Sequence, residues 1–483
     1  MLVRRSIILG LILKFFILVF ITLARLSRSL KALVLQAQSF INIEDVYELE
    51  DYCNSRFTQN LRFIALKQSD FWNRVTEILP NTNDQGRKKI FELLWEGLES
   101  YSQIYDSLLN ELNKLEHSKV IFCGPESLFD VKGEIWDRSN DSIINVSTLE
   151  KLGNNDISFV NVVNLNGKQT QISRSNLSAL VAEIVVQVKE QPHDFFLHTD
   201  LLDFPGARSR KVQPKDNKIL GTQSIKVENF LRGKVAYLFD RYSTDLELSS
   251  MLLCVGPSNL EVVGLEKLIE NWIGLTHGEK PEDREKKQTS LFLILTKFDM
   301  EFSQGAGKSA DDTRWTTRIE ASLLKPFGAH SHKTNWVNKW HTNRPFNNTF
   351  WLRNPNADQA GLIDSEGAPG SSKELNISQG KREFVSQLRD GFLNNAYVNQ
   401  HFSNPSEAWN AGMSLNDGGI TLLVNSLSKI CKPEIKLQQV FQYLGQIIKD
   451  RDTDLRRYYV SGDLDLIRKE KQVLAMHLVK TGG

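Results

Sequence analysis

Three short apolar runs, Phe195 to Leu202, Met251 to Val255 and Leu291 to Leu295, restrict the fold of this chain more than any other feature. Runs of this length without polar alternation suit strands buried on both faces, as in a parallel sheet beneath covering helices. Helical stretches from Glu228 to Asp240 and from Val262 to Trp272 separate them, so the order strand, helix, strand, helix, strand predicts a parallel α/β sheet. Thr349 to Leu352 is the candidate for a further strand. Ligands of open parallel sheets bind beyond the carboxyl ends of the strands, so the residues following each run bear on function.

The first run ends Asp200-Leu201-Leu202-Asp203-Phe204-Pro205-Gly206, which contains a DxxG element. In P-loop GTPases such an element positions magnesium through water with its carboxylate, here Asp203, and meets the γ-phosphate with its glycine amide, here Gly206. A Cβ at that glycine would block the close approach of backbone to phosphate. Asp-x-Pro-Gly is also a common turn, and Asp200 is either the magnesium carboxylate in place of Asp203 or a solvated acid at a strand edge. The third run ends Thr296-Lys297-Phe298-Asp299, a variant of the (N/T)KxD base-recognition element. Its aspartate can accept both guanine N–H donors, a pattern adenine does not offer, and its lysine stem packs along the base. The two elements occur in the order the GTPase fold requires. Arg208 and Arg210, just past Gly206, either contact phosphate or form a solvated basic turn.

The phosphate-binding element itself is missing. A P-loop, GxxxxGK(S/T), must follow a strand and precede a helix upstream of the DxxG run, and nothing between Met1 and Asp203 matches it. Gly305 to Ser309 (GAGKS) imitates its tail, but the first glycine would fall at Phe302 and the string follows the base-recognition element, so it reads as a loop. Phe122 to Glu126 (FCGPE) reads as a turn after a strand without the lysine. His330, His332 and His341 have loose metal-ligand spacing with no cysteine or acid cluster, and read as surface histidines. No GxSxG nucleophile elbow is present.

The remainder divides by composition. Residues 1–40 contain Ile7 to Ala24, apolar except for Lys14 and flanked by basic residues, about the length of a membrane span. That segment reads either as an uncleaved anchor in the inner membrane or as a start-site or frameshift artefact ahead of a soluble cytoplasmic protein. Residues 41–118 read as helical, with one apolar stripe from Ile90 through Leu94, Leu98, Tyr101, Tyr105, Leu108 and Leu112 to Leu115 predicting a single long helix, preceded by another that ends at Leu79-Pro80-Asn81. Residues 119–360 hold the α/β region. Within it Phe159 to Ile172 alternates around Asn166-Gly167, a hairpin signal, and a helix is expected from Ser175 through Val188. Residues 361–380, rich in Gly, Ser and Asp, read as a linker, and 381–483 as helical. A formal net charge of +1 excludes a bulk electrostatic case for nucleic acid as partner. Cys53, Cys123, Cys254 and Cys431 lack CxxC spacing and read as buried thiols in a reducing compartment.

Six strings carry a family resemblance: HTDLLDFPGARSR (His198 to Arg210), RGKVAYLFDRY (Arg232 to Tyr242), SSMLLCVGPSN (Ser249 to Asn259), LFLILTKFDMEF (Leu291 to Phe302), FWLRNP (Phe350 to Pro355) and SLNDGG (Ser414 to Gly419). They resemble the SrfC-like virulence factors of Gram-negative bacteria, over about Phe71 to Tyr459. That resemblance implies a large GTPase-related protein, distantly similar to dynamin-type GTPases, with a P-loop ahead of the helical region. Here the hydrophobic segment stands in its place, so the expectation is a fragment: an incomplete P-loop-NTPase-like parallel sheet flanked by helical regions. Asp203, Gly206, Thr296, Lys297 and Asp299 would be vestigial nucleotide-binding residues, with GTP and magnesium bound only if a P-loop is supplied. The alternative is a membrane-tethered scaffold, a pseudo-GTPase whose helical regions bind an unidentified protein partner.

Overall fold

A computed structural model describes residues 2–4, 41–58, 60–95, 97–132, 135–153, 156–185, 191–203, 223–257, 265–303, 312–328, 334–355, 361–367, 372–456, 458 and 464–481. They belong to two compact units: Met1–Phe196, Asp200–Asp245 and Leu260–Leu268 in the first, and Leu197–Thr199, Leu246–Asn259 and Ile269–Gly483 in the second. Ile7 to Ala24 lies outside the described residues, and among those described no helix is long and apolar enough to cross a membrane.

Helices α1 (Ile43–Arg56), α2 (Leu61–Gln68), α3 (Phe71–Ile78), α4 (Asp84–Glu92) and α5 (Glu99–Lys114) open the first unit. Asn42 starts α1 with a capping box: its side chain accepts the Asp45 N–H and the Asp45 carboxylate accepts the Asn42 N–H, each at 2.9 Å. The long helix expected across Ile90 to Leu115 is broken. A 3₁₀ turn over Leu93–Trp95 and Gly97 at φ +66° separate α4 from α5. The apolar stripe survives because both helices turn it to one core, and a clip spans the break: Trp95 Nε1 donates to Ser102 Oγ, which donates to Glu92 Oε1, each at 3.0 Å.

Strands β1 (Leu2–Arg4), β2 (Val120–Cys123), β5 (Phe159–Asn164) and β6 (Gln169–Ser173) form an antiparallel sheet in the order β1-β2-β5-β6, while β3 (Phe129–Lys132) pairs with β4 (Ile135–Arg138). The β5–β6 hairpin turns where Asn166-Gly167 predicts, with Gly167 at φ +80°. One sheet face packs Ile121, Val160, Val162 and Ile172 against Leu115, Leu177 and Val181. The helix expected through Val188 is shorter: α6 (Arg174–Leu180) ends as Val181 turns extended, where β-branched Val181, Ile184 and Val185 favour that conformation. Helix α7 (Gln223–Thr244) packs within this same unit. Its Asn229 donates to the Tyr101 hydroxyl, its Lys234 to the Ser178 carbonyl, and its Tyr242 hydroxyl to Glu183, while Asp240 pairs with Arg56.

The second unit contains the parallel sheet, in the order β7 (Met251–Val255), β8 (Leu291–Thr296) and β9 (Thr349–Leu352). Leu291 through Leu295 are no more than 2% exposed, as a run buried on both faces requires. Helix α8 (Leu265–Thr276) overlaps the stretch predicted as helical and runs past its end at Trp272, whose Nε1 donates to the Leu248 carbonyl at 2.9 Å. Further along lie α9 (Pro281–Arg284) and α10 (Thr313–Ile319), which continues as a π-helical segment over Glu320–Gly328. Beyond β9 the stretch read as a linker contains a hairpin, β10 (Ile363–Glu366) with β11 (Lys373–Ile377). Helices α11 (Arg382–Asn394), α12 (Ala396–His401), α13 (Pro405–Met413), α14 (Ile420–Leu427), α15 (Pro433–Arg456) and α16 (Leu464–Thr481) complete the chain. The chain is thus a mixed α/β protein with small sheets, one of them parallel.

Two further expectations need correction. The run Phe195 to Leu202 forms no strand: Asp194–Leu197 is a 3₁₀ turn, and the chain continues without regular structure to Asp203. His198, Thr199 and Asp200 place polar groups in the middle of the run, and Phe195 stacks on Phe196 at 4.5 Å instead of pleating to the opposite face. The reading of four buried thiols holds for Cys53 and Cys123, whereas Cys431 is half-buried and Cys254 is exposed.

Candidate functional site

The carboxyl end of the parallel sheet is where this architecture places ligands, and the residues leaving β8 occupy it. Thr296 ends the strand half-buried, and Lys297 is exposed in the left-handed region at φ +59°. That turn starts the 3₁₀ helix Phe298–Phe302, drives Phe298 onto Trp351 at a ring separation of 4.5 Å, and carries Asp299 inward to 3% exposure. The Thr296 to Asp299 string therefore presents its lysine to solvent and its carboxylate to the interior.

A buried arginine closes the same strand ends. Arg318, on α10, donates through Nη2 to the Val255 carbonyl of β7 at 3.0 Å and the Thr296 carbonyl of β8 at 3.4 Å. Its Nε lies 3.3 Å from Glu301 Oε1, and its guanidinium stands over the Trp351 ring at 5.9 Å. Arg314, one turn earlier, donates to the Glu301 carbonyl. Burial lowers the Arg318 pKa while the Glu301 carboxylate opposes that shift. Both charges are paired, and the carbonyls at the strand ends are supplied with donors.

The end of β9 is tied down in another way. Arg353 and Glu374 form a bidentate pair with both side chains 1% exposed, and Arg353 Nη2 also donates to the Ser414 carbonyl at 3.1 Å. Asn416 completes the set from a left-handed position: its N–H donates to Glu374 Oε2 at 2.6 Å, its side-chain amide donates to the Glu374 carbonyl at 3.0 Å, and its Oδ1 accepts the Glu374 N–H at 2.8 Å. Gly418 and Gly419 follow at φ +63° and +101°, where a Cβ would land on the Arg353 and Trp351 carbonyl oxygens. FWLRNP and SLNDGG, far apart in sequence, are thus halves of one structure joined through the hairpin. Arg318, Arg353, Glu374 and Asn416 were not singled out by sequence reasoning. The signals that existed were an arginine directly after an apolar strand and an Asn-Asp-Gly-Gly run.

Of the other residues expected at a site, Asp200 and Asp203 are exposed in irregular chain, while Gly206, Arg208 and Arg210 lie outside the described residues. So do Gly305 to Ser309, His330 and His332. His341 pairs its ring with Arg344 at 2.7 Å, and among the described residues no three side chains are grouped to hold a metal ion. Asp203 is exposed, and the Asp299 side chain is turned from solvent. A groove of about 570 Å³ over the antiparallel sheet, lined by Phe122, Glu126, Asn161, Gln169 and Gln171, holds a single carboxylate and no histidine.

A family model described as "Putative bacterial virulence factor" matches residues 22–481. The chain belongs to that family. No curated protein and no solved structure matches it. Within the matched span fall both the parallel sheet with its Arg318 closure and the Arg353–Glu374–Asn416 set.

Proposed function

We propose that this virulence-factor family member is a GTPase-related protein of the SrfC type, a pseudo-GTPase that does not hydrolyse GTP by itself. The observation that supports the reading is the position of Thr296-Lys297-Phe298-Asp299, which leaves the carboxyl end of the central strand of a parallel sheet, where GTPases read the base. The missing GxxxxGK(S/T) string argues for the loss of turnover, since phosphate needs stacked amides and a lysine. Arg318 and Glu301 then serve as a closure of those strand ends built from the chain's own side chains. The test is purified full-length chain with magnesium and GTP, followed by phosphate release and by the fluorescence of a labelled GTP analogue. No release above buffer is expected. Turnover that disappears in Asp299→Asn would sink the proposal.

A further inference from the structure

We propose that the apolar stripe of α15 is the interface of an antiparallel homodimer of this chain. Leu437, Phe441, Leu444, Ile448 and Leu455 stand 47–68% exposed along the helix, and Ile447 beside them is 39% exposed. Their spacing alternates four and three residues, with Arg451 filling the position between Ile448 and Leu455, which is the seam that one helix offers to one other. The helix is fixed to its own unit from a different side, where Gln439 Nε2 donates to the Ser249 carbonyl at 3.0 Å. The stripe therefore faces outward on an anchored helix.

Charge selects the occupant. Helix α15 carries Lys436, Lys449, Arg451 and Arg456 against Glu434, Asp450, Asp452 and Asp454, so it is neutral and has no attraction to an anionic membrane. Arg451 decides the orientation. In a parallel pair it would face its own copy inside the seam, like charge on like charge. In an antiparallel pair it lies over the Phe441 ring of the other copy, a cation–π arrangement, while Leu437 meets Leu455 and Leu444 meets Ile448. Every seam position then has a complement from the same sequence. Gly445, which disfavours helix and has nothing within 4 Å of where a Cβ would stand, falls beside its own counterpart near the two-fold axis, where it allows close approach.

Sedimentation velocity on the full-length chain tests this, with a dimer expected. Leu444→Glu with Ile448→Glu should weaken the dimer at least 100-fold, and because both side chains are exposed the circular dichroism spectrum should not change. Arg451→Glu should weaken it roughly tenfold. For orientation, a Leu437→Cys chain is mixed with a Leu455→Cys chain under oxidation, both carrying Cys254→Ser and Cys431→Ser. Disulfides should join the two different variants. Disulfides within each variant, or a dimer that tolerates the two glutamates, would overturn the proposal. A monomeric wild-type chain would also overturn it, whether α15 then folds on α16 of its own chain or binds vesicles of anionic phospholipid.

Discussion

Leu291 to Asp299 and Phe195 to Asp203 present the same pattern in sequence, an apolar run that ends in a carboxylate-bearing motif, yet they fold differently. The first is β8, the central strand of a parallel sheet, with Leu293 and Leu295 at 0% exposure. The second is a 3₁₀ turn and irregular chain, with Leu197 and Leu201 each 68% exposed. The difference lies in what each residue can be partnered with. Leu291 to Thr296 has a hydrogen-bonded strand on either side and no polar side chain until its last residue, whereas His198, Thr199 and Asp200 would each have to be desolvated to make the other run a central strand. An apolar count alone does not separate them; the position of the polar residues within the run does.

The largest effect that sharpens this contrast comes from the ion pair behind the sheet. Arg353→Ala should strand Glu374 as a buried charge and destabilise the second unit by about 3–5 kcal/mol in chemical denaturation. The double replacement Arg353→Met with Glu374→Leu should recover most of that loss, since removing both charges leaves neither to be desolvated. In the other region, Asp203→Ala should change stability by less than about 0.5 kcal/mol, because the side chain is exposed. A double variant no more stable than Arg353→Ala alone would mean that the loss comes from the hydrogen bonds the pair makes and not from a stranded charge.

Next in size are paired truncations of the two runs. Leu293→Ala empties a site with no exposure and should cost about 2–5 kcal/mol, whereas Leu201→Ala should cost about 0.5 kcal/mol or less. Equal losses would mean that Leu201 is buried in solution and that the run before Asp203 is structural after all.

Local patterns accounted for much of the fold. The Asn166-Gly167 hairpin, the break at Leu79-Pro80, β7, β8 and β9 all follow from residues within a few positions of one another. What sequence reasoning missed depends on pairing over distance. Arg353 and Glu374 are 21 residues apart, and Asn416 lies 42 beyond Glu374. A charged residue in a sequence is by default assigned to solvent, and only its partner reverses that assignment. Glu374 was concealed further by a Gly- and Ser-rich surround that reads as a linker. The candidate site was legible in Thr296 to Asp299 by position alone; that Asp299 turns inward follows from Phe298 seeking Trp351, a contact no local pattern contains.

The smallest effect concerns acid sensitivity, and it separates the parallel-sheet region from exposed segments. His277 follows α8, is 2% exposed, and rests between Trp272 and Trp340. Its Nε2 accepts the Ser290 N–H at 3.1 Å, just before β8, so Nδ1 carries the proton and donates to Thr276 Oγ1 at 2.7 Å. Burial, with Lys287 and Arg284 nearby, pushes its pKa down to about 3, opposed by a hydrogen bond to the Gln288 backbone. The folded value lies below the ordinary 6.5, so as pH falls the unfolded chain takes up the proton first. The contribution of the neutral imidazole is complete above pH 6.5 and is lost progressively between 6.5 and 3. Lowering the pH from 6.5 to 5.5 should therefore cost about 1 kcal/mol through this group. His277→Gln cannot titrate, and its unfolding free energy should lose that much of its pH dependence over the same interval. A variant with the same slope as the wild type would show that His277 reaches solvent in the folded chain and protonates there as it does when unfolded, and would remove the burial of the strand's approach as the distinction between the two regions.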